Sequence, residues 1–211
     1  MLYKELLLEW KQKYALNGLI LYVLSMVVVV SLAFANSLNP LTWNIVFWIL
    51  ILFVAINAVA KSFLAEDRAQ QVYLYSLAHP TAIMLAKIIY NVLLLWLVAS
   101  LTFWAYAFLS GVPIEHRLWM QGIVLLGGAA LAANLTLVSA IASKAANRST
   151  LLAVLSFPLL VPMLLLLIRL SRYAVEGLDT ALAYRNIYML LGITVSMAAL
   201  SVILFPFVWR D

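Results

Sequence analysis

Apolar residues run almost without interruption through six stretches of the chain, at about residues 19–35, 43–62, 80–110, 118–142, 149–169 and 186–207, and polar residues collect between them. A helix needs ~20 residues to cross the hydrocarbon core of a bilayer, so this pattern predicts an all-α polytopic membrane protein with six transmembrane helices. The breaks are punctuated as helix ends should be: Asn36-Ser37-Leu38-Asn39-Pro40, the charged stretch Lys61 to Pro80, Gly111-Val112-Pro113, Ser143 to Arg148, and Arg172 to Asn186. The third stretch is too long for one simple crossing and is expected to begin in the interface.

Ahead of the first span the pattern changes. Tyr3, Leu6, Leu7, Trp10 and Tyr14 recur at helical spacing, with Lys4, Glu5, Lys11 and Gln12 on the opposite face. Residues 1–18 therefore read as an amphipathic helix lying in the membrane interface, with its aromatic residues as anchors. The plainer reading is a polar extension of the first span. The charges Lys4, Glu5, Glu9, Lys11 and Lys13 do not have the layout of a cleaved signal peptide.

Composition removes the soluble alternative. Of 211 residues, 67% are hydrophobic and 10% charged, the mean hydropathy is +1.08, and a soluble domain would carry about 25% charged residues. Six spans leave no room for a folded extramembrane domain, so residues 1–211 are expected to form a single transmembrane domain. The net charge of +5 comes with no basic cluster interleaved with aromatics, which argues against nucleic acid as a partner. Its distribution reports topology instead. Lys4, Lys11, Lys13, Lys61, Arg68, Lys87, Lys144, Arg148 and Arg210 fall on one side of a six-span chain, and Arg117, Arg169, Arg172 and Arg185 on the other. The positive-inside rule then predicts both termini in the cytoplasm. Without cysteine, neither disulfides nor thiolate chemistry is available.

A membrane enzyme would hold acids, bases or metal ligands at depth, yet the Asp, Glu, Lys and Arg residues all fall in or beside the predicted loops. No GxxxxGK(S/T) loop, HExxH helix or GxSxG elbow is present, so no catalytic residues and no metal site are expected. His116, beside Glu115, Arg117 and Trp119, reads as a solvated loop residue in preference to a haem ligand, and His79 as a turn residue before Pro80. Asn57, Asn91 and Asn134 lie mid-span, where interhelical hydrogen bonding is the common use of an amide. In the fourth span Gly122, Gly127, Gly128, Ala129, Ala132 and Ala133 form a small-residue seam; close packing within the monomer is preferred to a dimer contact.

Two stretches carry more. In FLAEDRAQQVYLYSLAHPTAIMLAK, residues 63–87, a span runs into the triplet Glu66-Asp67-Arg68, then into Leu74 and Leu77 on one helical face, then into Pro80 at the first turn of the next helix. Val72, Tyr73, Leu74, Tyr75 and Leu77 are too apolar for a solvated loop, so a short helix on the cytoplasmic surface, buried against lipid or a partner, is predicted over 63–79. In STLLAVLSFPLLVPMLLLLIR, residues 149–169, Pro158 and Pro162 stand one turn apart, and each removes a backbone hydrogen bond, so a kink or unwinding is expected.

On these residues the chain resembles the membrane subunits of type-2 ABC exporters and, among them, the CcmB family of haem exporter subunits. In that family an acidic residue after the second span leads through a Leu-rich coupling helix to a Pro and an Ala-Lys pair; here Glu66, Leu74, Leu77, Pro80, Ala86 and Lys87 are similar, as is the Pro-Leu-Leu-Val-Pro of residues 158–162. Many relatives have Gly and Glu inside that coupling helix, where this chain has Gln70, Gln71 and Tyr73 nearby.

The resemblance implies the type-2 exporter permease fold and a role in haem export, or in loading or release of a haem chaperone, during cytochrome c maturation. It places the protein in the bacterial inner membrane, paired with a separate CcmA-like ATPase that handles ATP. CcmC-like and CcmD-like membrane subunits, the haem chaperone CcmE and a second copy of the chain are the further partners it implies, with lipid around them. No cofactor is expected to bind this chain firmly, haem being the handled ligand. On this reading Glu66, Asp67, Arg68, Leu74 and Leu77, with Lys144 and Arg148 from the next cytoplasmic loop, contact the ATPase, and Pro158 and Pro162 form a gating kink. The competing readings are a permease of the same fold that exports a lipid, glycan or drug, and, more distantly, a membrane enzyme.

Overall fold

The computed structural model describes residues 13–34, 38–59, 79–143, 148–178 and 183–210. They form six helices: α1 (Lys13–Ala33), α2 (Pro40–Val59), α3 (Pro80–Ser110), α4 (Arg117–Ala142), α5 (Arg148–Val175) and α6 (Tyr184–Arg210), with no strand among the described residues. Five are long and apolar enough to cross a membrane, and α1 adds a shorter apolar stretch at Asn17–Ala33. The chain is an all-α polytopic membrane protein.

Local chemistry sets the helix ends. Pro40 opens α2, where its missing N–H costs nothing, and the Asn39 side chain caps the turn by accepting a bond from Thr42 N at 2.7 Å. Pro80 occupies the same first-turn position in α3, behind an extended His79 whose ring nitrogen lies 2.8 Å from Thr81 Oγ1. At 1.5 Å per residue the 31 residues of α3 measure about 46 Å, well beyond the ~30 Å hydrocarbon core.

Two boundaries differ from the sequence reading. Lys13 to Gly18 belong to the same helix as the first span, so the polar start continues into α1 without a break; residues 1–12, most of the expected interface helix, lie outside the described residues. The fifth helix runs to Val175, past the expected end at 169 and through Arg172. Arg169 and Arg172 are exposed on its outer face, Ser171 is buried on its inner face, and Arg172 pairs with Glu176 one turn on. Polar residues on one face do not end a helix whose other face is packed. Gly177, with φ +68, ends the helical path in a conformation that side-chain-bearing residues rarely adopt.

The bundle is organised around α4, in which every residue from Ala130 to Ala140 is buried. It is apolar on all sides because α2, α3, α5 and α6 all pack on it. The main core joins α1 to the rest through Val23 and Val27 and includes Trp43, Phe47, Trp48, Phe103 and Tyr106. By contrast α6 keeps much of its surface outward, including Tyr188, Val195 and Ile203.

Candidate functional site

The face of the bundle at which α3 and α5 begin and α4 and α6 end is defined by two clusters. Met84 and Ile88 of α3 pack with Ala140 of α4 and Phe205 of α6, and Val138 and Ala142 of α4 pack with Leu152 of α5. From this face leave both of the connections expected to meet an ATPase. Glu66, Asp67, Arg68, Leu74 and Leu77, in the first connection, and Lys144, in the second, lie outside the described residues. Arg148 opens α5.

Lys87 was missed as an interior group. It stands two turns into α3 and is 2% exposed, the one charged side chain among the buried polar residues described. Sequence position alone put it beside a loop, because burial at the eighth residue of a helix depends on what packs there. One turn on, Asn91 Nδ2 donates to Thr136 Oγ1 at 2.8 Å, and Thr136 Oγ1 donates to Ala132 O at 2.5 Å. This polar seam crosses from α3 to α4 in the half of the bundle nearest the connections.

A second seam joins α2 to α5 in the other half. Asn44 Nδ2 donates to Ile168 O at 2.8 Å, and Trp48 Nε1 donates to Ser171 Oγ at 2.7 Å. The Ser171 hydroxyl has Asn44 Oδ1 and Leu167 O within 2.6 Å as alternative acceptors for its one proton. Beside it Trp43 stacks on Phe47 and Tyr106, with centroids 5.4 and 5.0 Å apart, and donates its Nε1 to Ser110 Oγ at 2.7 Å. The only sequence signal for this seam was the amide and two tryptophans near the start of α2, which register no periodicity of their own.

Of the mid-span amides, Asn91 and Asn57 serve interhelical bonds, the latter donating to Tyr22 Oη at 3.1 Å. Asn134 differs: it is fully buried, and among the described residues neither its Nδ2 nor its Oδ1 has a hydrogen-bond partner. Gly127, Gly128, Ala132 and Ala133 of the small-residue seam are all buried inside the monomer, which is the packing use expected of them; Gly122 is exposed, with open space where a Cβ would stand.

Pro158 and Pro162 both face outward, with Leu160 and Met163 inward between and beside them, and α5 remains helical through both. Unwinding, one of the two expected outcomes, does not occur. The prolines leave the carbonyls of Val154 and Pro158 without their usual helical donors. His116, at the start of α4, is exposed. Among the described residues no group of three or more His, Cys, Asp or Glu is placed to hold a metal ion.

Set against known families, residues 1–210 match the family described as CcmB protein. No curated protein and no solved structure matches the chain.

Proposed function

The chain belongs to the CcmB family, the permease subunits of the haem-exporting ABC transporter of cytochrome c maturation, and from that premise we propose that residues 63–79 are the element gripped by a separate CcmA-like ATPase. As a permease subunit of the inner membrane, the chain works within a complex whose ATP hydrolysis falls to that other subunit. Glu66, Asp67 and Arg68 stand at the start of the gripped element, and Leu74 and Leu77 fill the partner's cleft. Lys144 and Arg148 supply a second, shorter contact. The positive-inside count supports a cytoplasmic position for this face and for both termini.

The observation that carries the reading is the convergence of the starts of α3 and α5 with the ends of α4 and α6 on one face. A pull on residues 63–79 enters α3 at Pro80, and α3 is tied to the central helix along its length by Ile88, Asn91 and Leu95. Helix α5 receives the same motion through the second connection, and the missing backbone bonds at Pro158 and Pro162 make it the helix that bends at least cost. CcmC-like and CcmD-like subunits, the chaperone CcmE and a second copy of this chain complete the assembly, with haem as its cargo.

The test is the pair of substitutions Leu74→Asp and Leu77→Asp. Expected is a protein that inserts normally, no longer copurifies with the ATPase, and fails to support cytochrome c maturation. A complex that forms and hydrolyses ATP at the wild-type rate would show that the grip lies elsewhere.

A further inference from the structure

At the opposite face the geometry points to a binding seat for the headgroup of an anionic phospholipid, built where α4 and α6 begin and α5 ends. Three contacts draw these ends together. The His116 N–H donates to Ala174 O at 3.0 Å. Trp119 meets Tyr184 edge to face with centroids 6.3 Å apart and planes at 73°. Gly177 lies against the Glu115 side chain so closely that a Cβ there would sit 3.0 Å from Glu115 Cγ.

The rim so formed carries Arg117, Arg172 and Arg185, with Arg169 about 4.5 Å deeper along α5 than Arg172. All four side chains are exposed. Arg172 is satisfied by Glu176, whose two carboxylate oxygens both lie 2.8 Å from its Nε. Arg117, Arg169 and Arg185 have no hydrogen bond or ion pair among the described residues. In the sequence the four arginines are accompanied by Glu115, Glu176 and, two residues past Gly177, Asp179, which leaves an excess of one formal positive charge.

Three further features select a lipid phosphate as the occupant. First, the cations at this face are arginines only, whereas the terminus and connections that the six-span pattern assigns to the other side carry Lys4, Lys11, Lys13, Lys61 and Lys144 beside three arginines in the sequence. Membrane topology alone would accept either residue; a planar fork that binds two oxygens at once favours arginine. Second, Tyr184 and Tyr188 are 50% and 70% exposed beside the rim, which is the aromatic dressing of a surface at headgroup level. Third, Arg169 emerges below the end of α5, next to exposed Leu165, so its guanidinium must rise along apolar surface toward the headgroups.

The experiment uses the intact complex in discs of phosphatidylcholine doped with diphosphatidylglycerol, followed by native mass spectrometry of the lipid retained after extraction. The wild type should retain diphosphatidylglycerol in preference to phosphatidylcholine. Each of Arg117→Gln, Arg169→Gln and Arg185→Gln should weaken that retention about fivefold, the worth of one basic residue near an anionic surface, and the triple variant should abolish the preference. Arg172→Gln, at the arginine already paired, should change it less. Arg→Lys variants at the three positions, which keep charge and fold, should fall between wild type and Gln. Equal retention of the two lipids by the wild type, or an unchanged preference in the triple variant, overturns the proposal. So does loss of a protein subunit from the triple variant with lipid preference intact, which would assign the arginines to a protein contact.

Discussion

Adding a single methyl group at Gly127 should loosen the centre of the bundle. A Cβ at that position would lie 2.6 Å from Cη2 and 2.8 Å from Cζ3 of Trp48, and 2.9 Å from Cδ2 of Leu167. Carbon atoms prefer separations of about 3.5–4.0 Å, so α2 or α5 must retreat from α4 by roughly 1 Å, or the indole must turn. The indole is poorly placed to turn, because it is fully buried, donates to Ser171 Oγ at 2.7 Å and meets Phe47 edge-on at 5.3 Å. Overpacking of this kind costs about 1–3 kcal/mol, and a chain of this size should lose about 2–12 °C of thermal stability. Thermal unfolding of the Gly127→Ala variant in mild detergent, followed by tryptophan fluorescence, reads the loss directly. Combining it with Trp48→Phe supplies the internal control. Phenylalanine lacks Cη2 and Cζ3, so the double variant should keep only the contact with Leu167 Cδ2, the movable end of a side chain, besides the cost of the lost Trp48–Ser171 hydrogen bond and the smaller ring, and the pair should couple by about 1–2 kcal/mol. Strict additivity, or a Gly127→Ala protein as stable as the wild type, would refute the close approach of α4 to α2 and α5.

Asn134→Leu should leave stability unchanged or raise it by about 1–2 kcal/mol, since the amide is fully buried with both polar atoms unbonded among the described residues; a clear loss on thermal unfolding would mean that the amide is satisfied in the assembled membrane protein. Ser171→Ala should lower stability by about 1–3 kcal/mol, because it strands the Trp48 indole N–H in a buried seam; no change in the unfolding midpoint would remove the seam as a stabilising element. Cysteine at Ala146 should react with an impermeant thiol reagent from the cytoplasmic side alone, and labelling from the other side would invert the proposed topology. Replacing both Pro158 and Pro162 by Ala should leave assembly intact and reduce cytochrome c maturation; full maturation at normal protein levels would reduce the prolines to outward-facing packing features.

Much of this architecture was legible because the bilayer imposes a one-dimensional rule. A helix either has enough apolar length to cross or it does not, and the third span, 80–110, coincides with α3. The misplaced end of the fifth span has the opposite origin. Hydropathy averages over faces, and the arginines at 169 and 172 lower the average without touching the inner face that keeps α5 helical. The candidate site divides the same way. Pro80 and the small residues Gly127, Gly128, Ala132 and Ala133 are chemical signals at fixed positions and read correctly as a helix start and a packing surface, whereas Gly122, of the same seam, is exposed.

The all-helical membrane class, the apolar stretches and the family are written in the chain itself, since they rest on composition, length and the order of local motifs. Which residue faces which was settled only when the helices packed together. Lys87 is interior because α3 carries it into the protein at the level where Ala140 and Phe205 close around its neighbours. Asn44, Trp48 and Ser171 form one seam because α2 and α5, more than a hundred residues apart in the chain, lie side by side. The arginines of three helix ends make one rim because His116 bonds to Ala174 and Trp119 meets Tyr184. Hydrophobic transfer into the bilayer acts on each segment separately, whereas packing and hydrogen bonding depend on the rotation of each helix about its axis, a choice made only against its neighbours.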